Sequence, residues 1–403
     1  MKILLVHNYY KLSGGEDQCV AAEIAMLRAH GHWVTRYCLS NDATDSMGKL
    51  ALAGRTIWSR PAFLDIRQVI RMHRPQVVHF HNTLPLISPA AYYAARAEGV
   101  PVVQTLHNFR LLCVNAVLFR DGVPCEDCVG KAIPWRGVAR KCYRDSRSAS
   151  AAVAAMISAH RLLGTWRNMV DAYIALSEFS RRKFVEGGLP ANKIVVKSNF
   201  LYPEPGAGTG NGEYAVYVGR LSAEKGVETL LNAWRSIGRA MPLKIAGDGP
   251  LAGAVREAVA QNPGIEWLQG VSHEEVYRLI GAAAFLVLPS ECYEGALPRV
   301  VIEAFAKGTP VVVSRHGAMA DLVVDGHNGL CFAPGRSEDL EAKVRFLISD
   351  SSTLKSMRRA ARETYDRNFT AEANHEVLMA IYARVINRYA RHALRSADAA
   401  SAV

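Results

Sequence analysis

Two glutamates beside a strand exit are the strongest chemical signal in this sequence. Glu294 lies in the turn after a short apolar strand predicted over residues 284–288, and Glu303 lies in the helix that follows. Ligands of parallel α/β sheets bind beyond the carboxyl ends of the strands. There, Glu303 could accept hydrogen bonds from ribose hydroxyls and Glu294 from a sugar. A helix also tolerates a glutamate in its first turn because of its macrodipole. Spacing therefore does not decide between a ligand-binding and a structural role for Glu303.

Two cations stand at the entrance of another predicted helix. In GRLSAEKGVETL, residues 219–230, Arg220 and Lys225 lie across a turn from each other, and Gly219 lets the backbone approach a ligand closely. Both cations and the helix N–H groups could converge on a phosphate. The alternative is a pair of solvated surface charges.

Other glycines and one acidic residue mark further strand exits in this second half. Asp248 and Gly249, in GDGP, form a tight turn before a predicted helix, and Gly295 follows Glu294 in its turn. We include all three among the candidate ligand-binding residues. For Asp248 the capping of the next helix is the favoured interpretation.

The first half offers a glycine loop and a histidine. Gly14 and Gly15 connect the first strand directly to a helix, without the Gly-x-Gly-x-x-Gly arrangement of a dinucleotide site, yet their N–H groups could face a diphosphate. His107 ends another strand, and both a structural and a catalytic role are open for it.

Four of the eight cysteines cluster in one irregular stretch. Cys113, Cys125, Cys128 and Cys142 have the spacing Cys-x11-Cys-x2-Cys-x13-Cys. Four thiolates can bind a structural zinc ion, and the alternatives are thiols in a loop or a redox pair.

The order of predicted elements indicates an α/β protein of two domains. Strands alternate with helices twice, on either side of a segment rich in Pro and Gly, residues 201–213. We predict a first domain over residues 1–200 with a Cys-containing insertion at 108–145, and a second over residues 213–370. A C-terminal helix over 371–395 is expected to pack back on the first domain.

The composition of the chain limits the kinds of partner that it could bind. The net charge of +11 favours an anionic partner, but the cations are scattered and no nucleic-acid-binding motif occurs, so we expect no nucleic acid. Neither a secretory signal nor a run of about 20 apolar residues is found, so we expect a cytoplasmic protein, peripheral at an anionic membrane surface. The basic residues that could contact such a surface are Arg136, Arg140, Lys141, Arg144, Arg147, Arg181, Arg182 and Lys183. The alternative for them is a solvated face.

Together these motifs resemble the family 4 glycosyltransferases, which are retaining enzymes of the GT-B fold with two Rossmann-like domains facing a central cleft. VGRLSAEKGVETLLNAW, IAGDGP and the segment from SECYEGALPRVVIEAFAKG to CFAPG match that family in order and spacing. The stretch LHNFRLLCVNAVLFRDGVPCEDCVGK is similar to a bacterial subset associated with exopolysaccharide or cell-envelope assembly.

The resemblance implies roles for individual residues. Arg220 and Lys225 match the basic pair that holds the donor diphosphate, and Glu303 matches the glutamate that binds the donor ribose. The remaining matches are Glu294 near the donor sugar, Gly14 and Gly15 beside the diphosphate, and His107 near the reacting sugar.

Two positions depart from the family pattern. Eight residues separate Glu294 from Glu303, where the family usually has seven, which places one extra residue in the turn 295–298. Asp321 stands where the family usually has a glutamate. The exact role of Glu294 is therefore open.

The prediction is a retaining glycosyltransferase that moves a hexose-type sugar from a nucleotide-diphosphate sugar to a glycan or a polyprenyl-diphosphate-linked acceptor, with no cofactor required for catalysis. A GT-B sugar-nucleotide epimerase and a non-catalytic glycan- or nucleotide-binding subunit are the alternatives.

Overall fold

The computed structural model describes residues 1–401 except Ser13 and Ala296, with side chains up to Arg391. The chain divides into two compact units. The first comprises Met1–Ala116, Glu126–Ser198 and the chain from Asn374 onward, and the second comprises Val117–Cys125 and Asn199–Ala373.

In the described part of the first half of the chain there are eight strands. They are β1 (Lys2–Tyr9), β2 (Trp33–Ser40), β3 (Val77–Phe80), β4 (Val102–Leu106), β5 (Phe119–Arg120), β6 (Val123–Pro124), β7 (Ala172–Ala175) and β8 (Ile194–Val196). Strands β5 and β6 form a small antiparallel hairpin, and the other six form one parallel sheet in the order β2-β1-β3-β4-β7-β8. Strands β3, β4 and β7 are buried along their whole length, as expected for a sheet covered on both faces.

The described residues between these strands form eight α-helices. They are α1 (Gly15–Ala29), α2 (Lys49–Ile57), α3 (Arg60–His73), α4 (Ala90–Ala97), α5 (Trp135–Ala139), α6 (Arg147–Leu162), α7 (Thr165–Asn168) and α8 (Glu178–Glu186). Serine side chains cap α3, α6 and α8 at their N-termini. Gly164, with φ +65°, separates α6 from α7.

The second half repeats the alternation. Its strands are β9 (Ala215–Val218), β10 (Leu243–Ala246), β11 (Ile265–Gln269), β12 (Phe285–Leu288), β13 (Val311–Ser314) and β14 (Gly329–Phe332). All six are parallel, in the order β11-β10-β9-β12-β13-β14. The helices are α9 (Val227–Ile237), α10 (Ala252–Gln261), α11 (His273–Ala282), α12 (Arg299–Ala306), α13 (Gly317–Leu322), α14 (Ser337–Ser349), α15 (Ser351–Asn368) and α16 (Ala371–Ser401).

The core of the second unit follows from the alternation of side chains along each strand. Leu286 and Leu288 of β12 belong to the cluster that includes α11 and α12, whereas Phe285 and Val287 belong to the opposite cluster, which includes α9 and α14. Helices therefore cover both faces of the sheet, which leaves the ends of its strands as the place where a ligand could reach it.

The last helix, α16, joins the first unit from Asn374 onward. Asn374 Oδ1 accepts a hydrogen bond from Lys197 Nζ at 2.7 Å, and the Tyr382 hydroxyl lies 2.7 Å from His79 Nδ1. Among the helices formed by the described residues, none is long and apolar enough to cross a membrane.

Candidate functional site

The sheet of the second unit changes winding direction between β9 and β12. These strands are neighbours, although β10 and β11 extend the sheet on one side and β13 and β14 on the other. Loops that leave adjacent strands in opposite directions open a crevice, which is where ligands of such sheets bind. The loop of residues 219–226 leaves β9 here, and the loop of residues 289–298 leaves β12.

A glycine lets these two loops touch. Gly226 has φ +67°, and a Cβ at this position would lie 1.9 Å from the carbonyl oxygen of Pro289. The Glu224 carbonyl accepts hydrogen bonds from the N–H groups of Glu291 and Cys292, at 3.0 and 3.2 Å. The short 3-10 turn that carries Lys225 is thereby fixed against the β12 exit.

This contact brings Lys225 and Glu294 together as an ion pair. Ser290 Oγ also donates to Glu294 Oε1, at 2.5 Å. Burial alone would lower the pKa of Lys225, but the facing carboxylate outweighs burial and raises it. The ammonium therefore stays charged at neutral pH.

Glu294 occupies a strained backbone conformation. Its φ is +44°, in the left-handed region that favours glycine, and only 9% of the residue is exposed. Such strain costs of order 1–3 kcal/mol and persists where the surrounding structure fixes it. The strain is offset here by the buried contacts of the carboxylate with Lys225 and Ser290.

Arg220 differs from Lys225 in its exposure and in its ion pairing, although both belong to the predicted basic pair. Its side chain is exposed, and no carboxylate within the described part of the chain pairs with its guanidinium. Its backbone is held, because the Tyr217 hydroxyl donates to the Arg220 carbonyl at 2.8 Å and Gly219 donates to Ala246. A cation on a fixed backbone is thus available at the β9 exit.

The turn after β10 adjoins the same edge. The Asp248 carbonyl accepts from Leu221 N–H at 2.9 Å, and its exposed carboxylate accepts from Gly249 N–H at 2.7 Å. A Cβ at Gly249 would lie 2.5 Å from the Leu221 carbonyl oxygen, so glycine is needed for this approach. The capping interpretation of Asp248 is wrong, because α10 begins at Ala252 with Leu251 as its N-cap.

Glu303 lies on α12 and is buried, with 4% exposure. Its Oε1 accepts from Arg299 Nε at 2.9 Å and lies 3.6 Å from His273 Nε2. Since α12 begins at Arg299, Glu303 is in the second turn, and the first-turn macrodipole explanation does not apply. The sequence predicts an extra residue in the turn 295–298. This turn begins at the half-buried Gly295 and includes Ala296, which is outside the described residues.

The first unit has its own switch point between β1 and β3, and a pocket opens there. Glu16, Asn82, His107 and Arg110 are among the residues that line it. Glu16 Oε2 accepts from the Tyr10 hydroxyl at 2.9 Å, and burial raises the pKa of Glu16 to about 7. The sequence prediction did not include Glu16; its position in the first turn after the Gly-Gly loop was the available signal.

The Gly-Gly loop enters α1 beside this pocket. Gly14 is the N-cap of α1, and its N–H donates to Asp17 Oδ2 at 3.2 Å, so this N–H is engaged within the helix start. Among the described residues, no heavy atom lies within 4 Å of a Cβ built on Gly14 or Gly15. His107 is buried, with Nε2 2.9 Å from His81 Nδ1.

The four clustered cysteines do not all belong to one unit. Cys113 and Cys128 are buried and Cys142 is half-buried in the first unit, while the half-buried Cys125 belongs to the second. Cys142 N–H donates to the Gly137 carbonyl, and a Cβ on Gly137 would lie 3.7 Å from Cys128 Sγ. Zinc binding by the four thiolates stays a prediction.

Several of the predicted membrane-facing cations are in ion pairs. Arg136 and Arg140 pair with Asp127, and Lys183 contacts Glu126 at 2.9 Å and Glu186 at 2.8 Å. Exposed pairs contribute little to stability, but they reduce the net positive charge of this surface.

Two family models match consecutive parts of the chain. The model described as Glycosyltransferase Family 4 matches residues 13–204, and the model described as Glycosyl transferases group 1 matches residues 204–364. With the two parallel sheets and their switch points, these matches show that the chain belongs to the family 4 glycosyltransferases of the GT-B fold.

Curated relatives resemble the chain to different extents. The alpha-D-kanosaminyltransferase of Streptomyces kanamyceticus is 24% identical over 85% of this chain and 86% of its own length. The putative teichuronic acid biosynthesis glycosyltransferase TuaC of Bacillus subtilis is 26% identical over 73% of this chain and 69% of its own. The chain matches a smaller part of the length of other curated relatives. It covers 30% of the length of the sulfoquinovosyl transferase SQD2 of Arabidopsis thaliana and 38% of the length of the glycogen synthase of Mycobacterium tuberculosis.

A solved structure has the same fold. The Anabaena protein HepE, crystallised in complex with UDP and glucose, superposes with a TM-score of 0.68 at 17% identity, covering 95% of this chain and 100% of that one.

Proposed function

We propose that the chain is a retaining glycosyltransferase that uses a nucleotide-diphosphate hexose as donor and a glycan or polyprenyl-diphosphate-linked acceptor in bacterial polysaccharide synthesis. The observation that carries the proposal is the fixed Lys225–Glu294 ion pair at the switch point of the second unit, beside the exposed guanidinium of Arg220. HepE, which shares the fold, was crystallised with UDP, and TuaC is named for teichuronic acid biosynthesis.

The charges suit the chemistry of a departing diphosphate. When the bond between the sugar C1 and the phosphate oxygen breaks, the electron pair stays on the phosphate, and Lys225 and Arg220 stabilise that charge. The acceptor hydroxyl forms the new bond on the same face of C1, and its proton passes to the leaving phosphate. Glu303 accepts hydrogen bonds from the ribose, and the reaction requires no metal or protein nucleophile.

The first unit supplies the acceptor side in this proposal. Its pocket at the β1/β3 switch point carries Glu16 and His107, both able to hydrogen-bond sugar hydroxyls. We place the protein at the inner face of the cell membrane, where lipid-linked acceptors are found and where the basic side chains of residues 141–147, which form no ion pair with a carboxylate among the described residues, would meet anionic lipid.

The test is release of nucleoside diphosphate from UDP-, GDP- and ADP-sugars by the purified full chain, with and without a bacterial lipid extract as acceptor source. We expect one donor to be consumed, faster with extract, and consumption to fall about 10²-fold or more in Lys225→Ala. The matched control is Arg235→Ala, which removes an exposed cation of α9. Equal rates in wild type and Lys225→Ala would refute the proposed chemistry.

A further inference from the structure

A buried line of side chains leads from the pocket of the first unit into its interior. His107 Nε2 lies 2.9 Å from His81 Nδ1, and His81 Nε2 lies 3.3 Å from Glu23 Oε1. All three residues are less than 9% exposed. None of the roles assigned above uses His81 or Glu23.

The topology explains why these groups meet. His79 and His81 are two residues apart at β3 and therefore project to the same side of the sheet, which α1 covers with Glu23. His107 follows the neighbouring strand β4. The rings of His81 and His107 stack at 5.2 Å between centroids, with an interplanar angle of 26°.

The far end of the line is anchored by charge. Glu23 Oε2 accepts from Lys197 Nζ at 3.3 Å, and Glu23 Oε1 lies 3.0 Å from His79 Nδ1. Glu23, His79 and His81 also bring three ligand atoms within 4.8 Å, a spacing that a metal ion could use. Lys197, however, already neutralises Glu23, so a divalent cation would add two uncompensated charges to a buried site. A relay that needs no metal fits the charges better: His107 and His81 are within hydrogen-bond distance, and the 3.3 Å contact between His81 Nε2 and Glu23 Oε1 is electrostatic, since neither of these two buried atoms has a hydrogen-bond partner among the described residues.

The protonation of each group follows from its neighbours. Burial disfavours the charged carboxylate, but His79 and Lys197 outweigh it and hold the pKa of Glu23 well below its usual value. An ionised carboxylate attracts a proton and repels a lone pair, so at 3.3 Å it favours the proton of His81 on Nε2. Burial and the neighbouring His79 lower the pKa of His81 to about 3, so the ring is neutral and Nδ1 carries a lone pair. His107 Nε2–H then donates to His81 Nδ1.

We propose that Glu23 and His81 are positioning residues that hold His107 in its neutral Nε2–H form. In this form the Nδ1 lone pair of His107 accepts a hydrogen bond from a hydroxyl of a sugar bound in the pocket of the first unit. The sugar-binding part of this inference rests on the proposed function; the tautomer does not. Besides His81, the charged or titratable groups that interact with His107 are His7, His79 and Glu23, and burial with these histidines lowers the pKa of His107 well below its usual value. His107 is thus an acceptor and not a cation.

The test is long-range ¹H–¹⁵N NMR of the full chain labelled at histidine, with His107 assigned through His107→Gln. We expect a protonated Nε2 and a bare Nδ1 whose shifts stay constant between pH 5.5 and 8. Glu23→Gln, whose amide can donate to His81, should mix the two tautomers. Glu98→Gln, which removes a carboxylate paired with Arg67 and Arg71 elsewhere in the first unit, should change nothing. A protonated Nδ1, or titration of His107 near pH 6.5 in the wild type, would overturn the proposal without need of any variant.

Turnover separates this inference from the proposed function. In Glu23→Gln we expect kcat to fall roughly 3- to 10-fold with the donor KM within twofold, because the donor diphosphate is bound elsewhere. An active wild type in which Glu23→Gln shifts the tautomer without changing kcat would overturn the sugar-facing role of His107. An inactive wild type with the expected tautomer would instead overturn the proposed function.

Discussion

Lys225 and Glu294 form an ion pair that joins the exits of two neighbouring strands, although 69 positions separate them in the sequence. The pair depends on Gly226, because a Cβ there would lie 1.9 Å from the Pro289 carbonyl oxygen and keep the turn after β9 away from the segment after β12. The ammonium of Lys225, which we propose stabilises the leaving diphosphate, is thereby held in place before a donor binds. Electrostatic preorganisation requires such a fixed charge.

Glu294→Gln should destabilise the protein although glutamine has the same shape. The substitution leaves the ammonium of Lys225 without its countercharge in a partly buried position, which we expect to cost about 1–3 kcal/mol. Thermal or urea unfolding measures this directly. Glu275→Gln, which breaks an exposed pair with Arg278, serves as the control and should cost about 0.5 kcal/mol or less. Equal effects of the two substitutions would contradict the buried pair.

Glu303→Gln should weaken recognition of the ribose. The carboxylate is oriented by Arg299 and, when ionised, accepts hydrogen bonds only, so it suits two vicinal hydroxyls. We expect the preferred nucleoside diphosphate to bind the wild type about 5- to 10-fold more tightly than its 2′-deoxy analogue, and this preference to shrink in the variant. Calorimetric titration of both ligands tests it, with Glu266→Gln on the exposed edge strand β11 as control. An unchanged preference would remove Glu303 from the ribose site.

Glu16 should make stability fall as the pH rises. Its folded-state pKa of about 7 lies above the ordinary carboxyl value, so the folded protein holds the proton more tightly than the unfolded chain. Stability is therefore lost between about pH 4.5 and 7 as the unfolded chain releases a proton that the folded protein retains.

The matched measurement compares Glu16→Gln with the wild type by thermal unfolding from pH 4.5 to 8.5. The stability of the variant relative to the wild type should increase up to about pH 7. Above that pH the difference in stability should stay constant. A difference that does not vary with pH would mean that Glu16 titrates normally in the folded protein.

The cysteine cluster predicts a metal content. If Cys113, Cys125, Cys128 and Cys142 bind zinc, the purified protein should contain about one equivalent by elemental analysis, and Cys128→Ser should lower both zinc content and melting temperature. Cys331→Ser, which alters a buried cysteine of β14, should leave the zinc content unchanged. A stable wild-type protein without zinc would favour simple thiols.

The parallel strands were predictable where they are fully buried. β12 and β13 appear in the sequence as short continuous apolar runs, and the structure buries every residue of both. The edge strand β2 was not predicted, since its residues are mostly half-buried and mix polar with apolar types. Its structure is imposed by pairing with β1 along its whole length, which is a tertiary effect.

The site residues were predictable one by one, but their grouping was not. Residue type and strand-exit position identified Lys225 and Glu294 separately, yet only the close approach at Gly226 brings the two together. Glu23 and His81 gave no sequence signal, because their role depends on the packing of α1 over β3.

The most direct test of the account is calorimetric titration of the wild type, Arg220→Ala, Lys225→Ala and the control Arg235→Ala with UDP, GDP and ADP. The account predicts that one nucleotide binds the wild type and Arg235→Ala equally, and that both Arg220→Ala and Lys225→Ala bind it at least about tenfold more weakly. Unchanged affinity in both site variants, or no binding of any of the three nucleotides to the wild type, would contradict a donor site at the β9/β12 switch point.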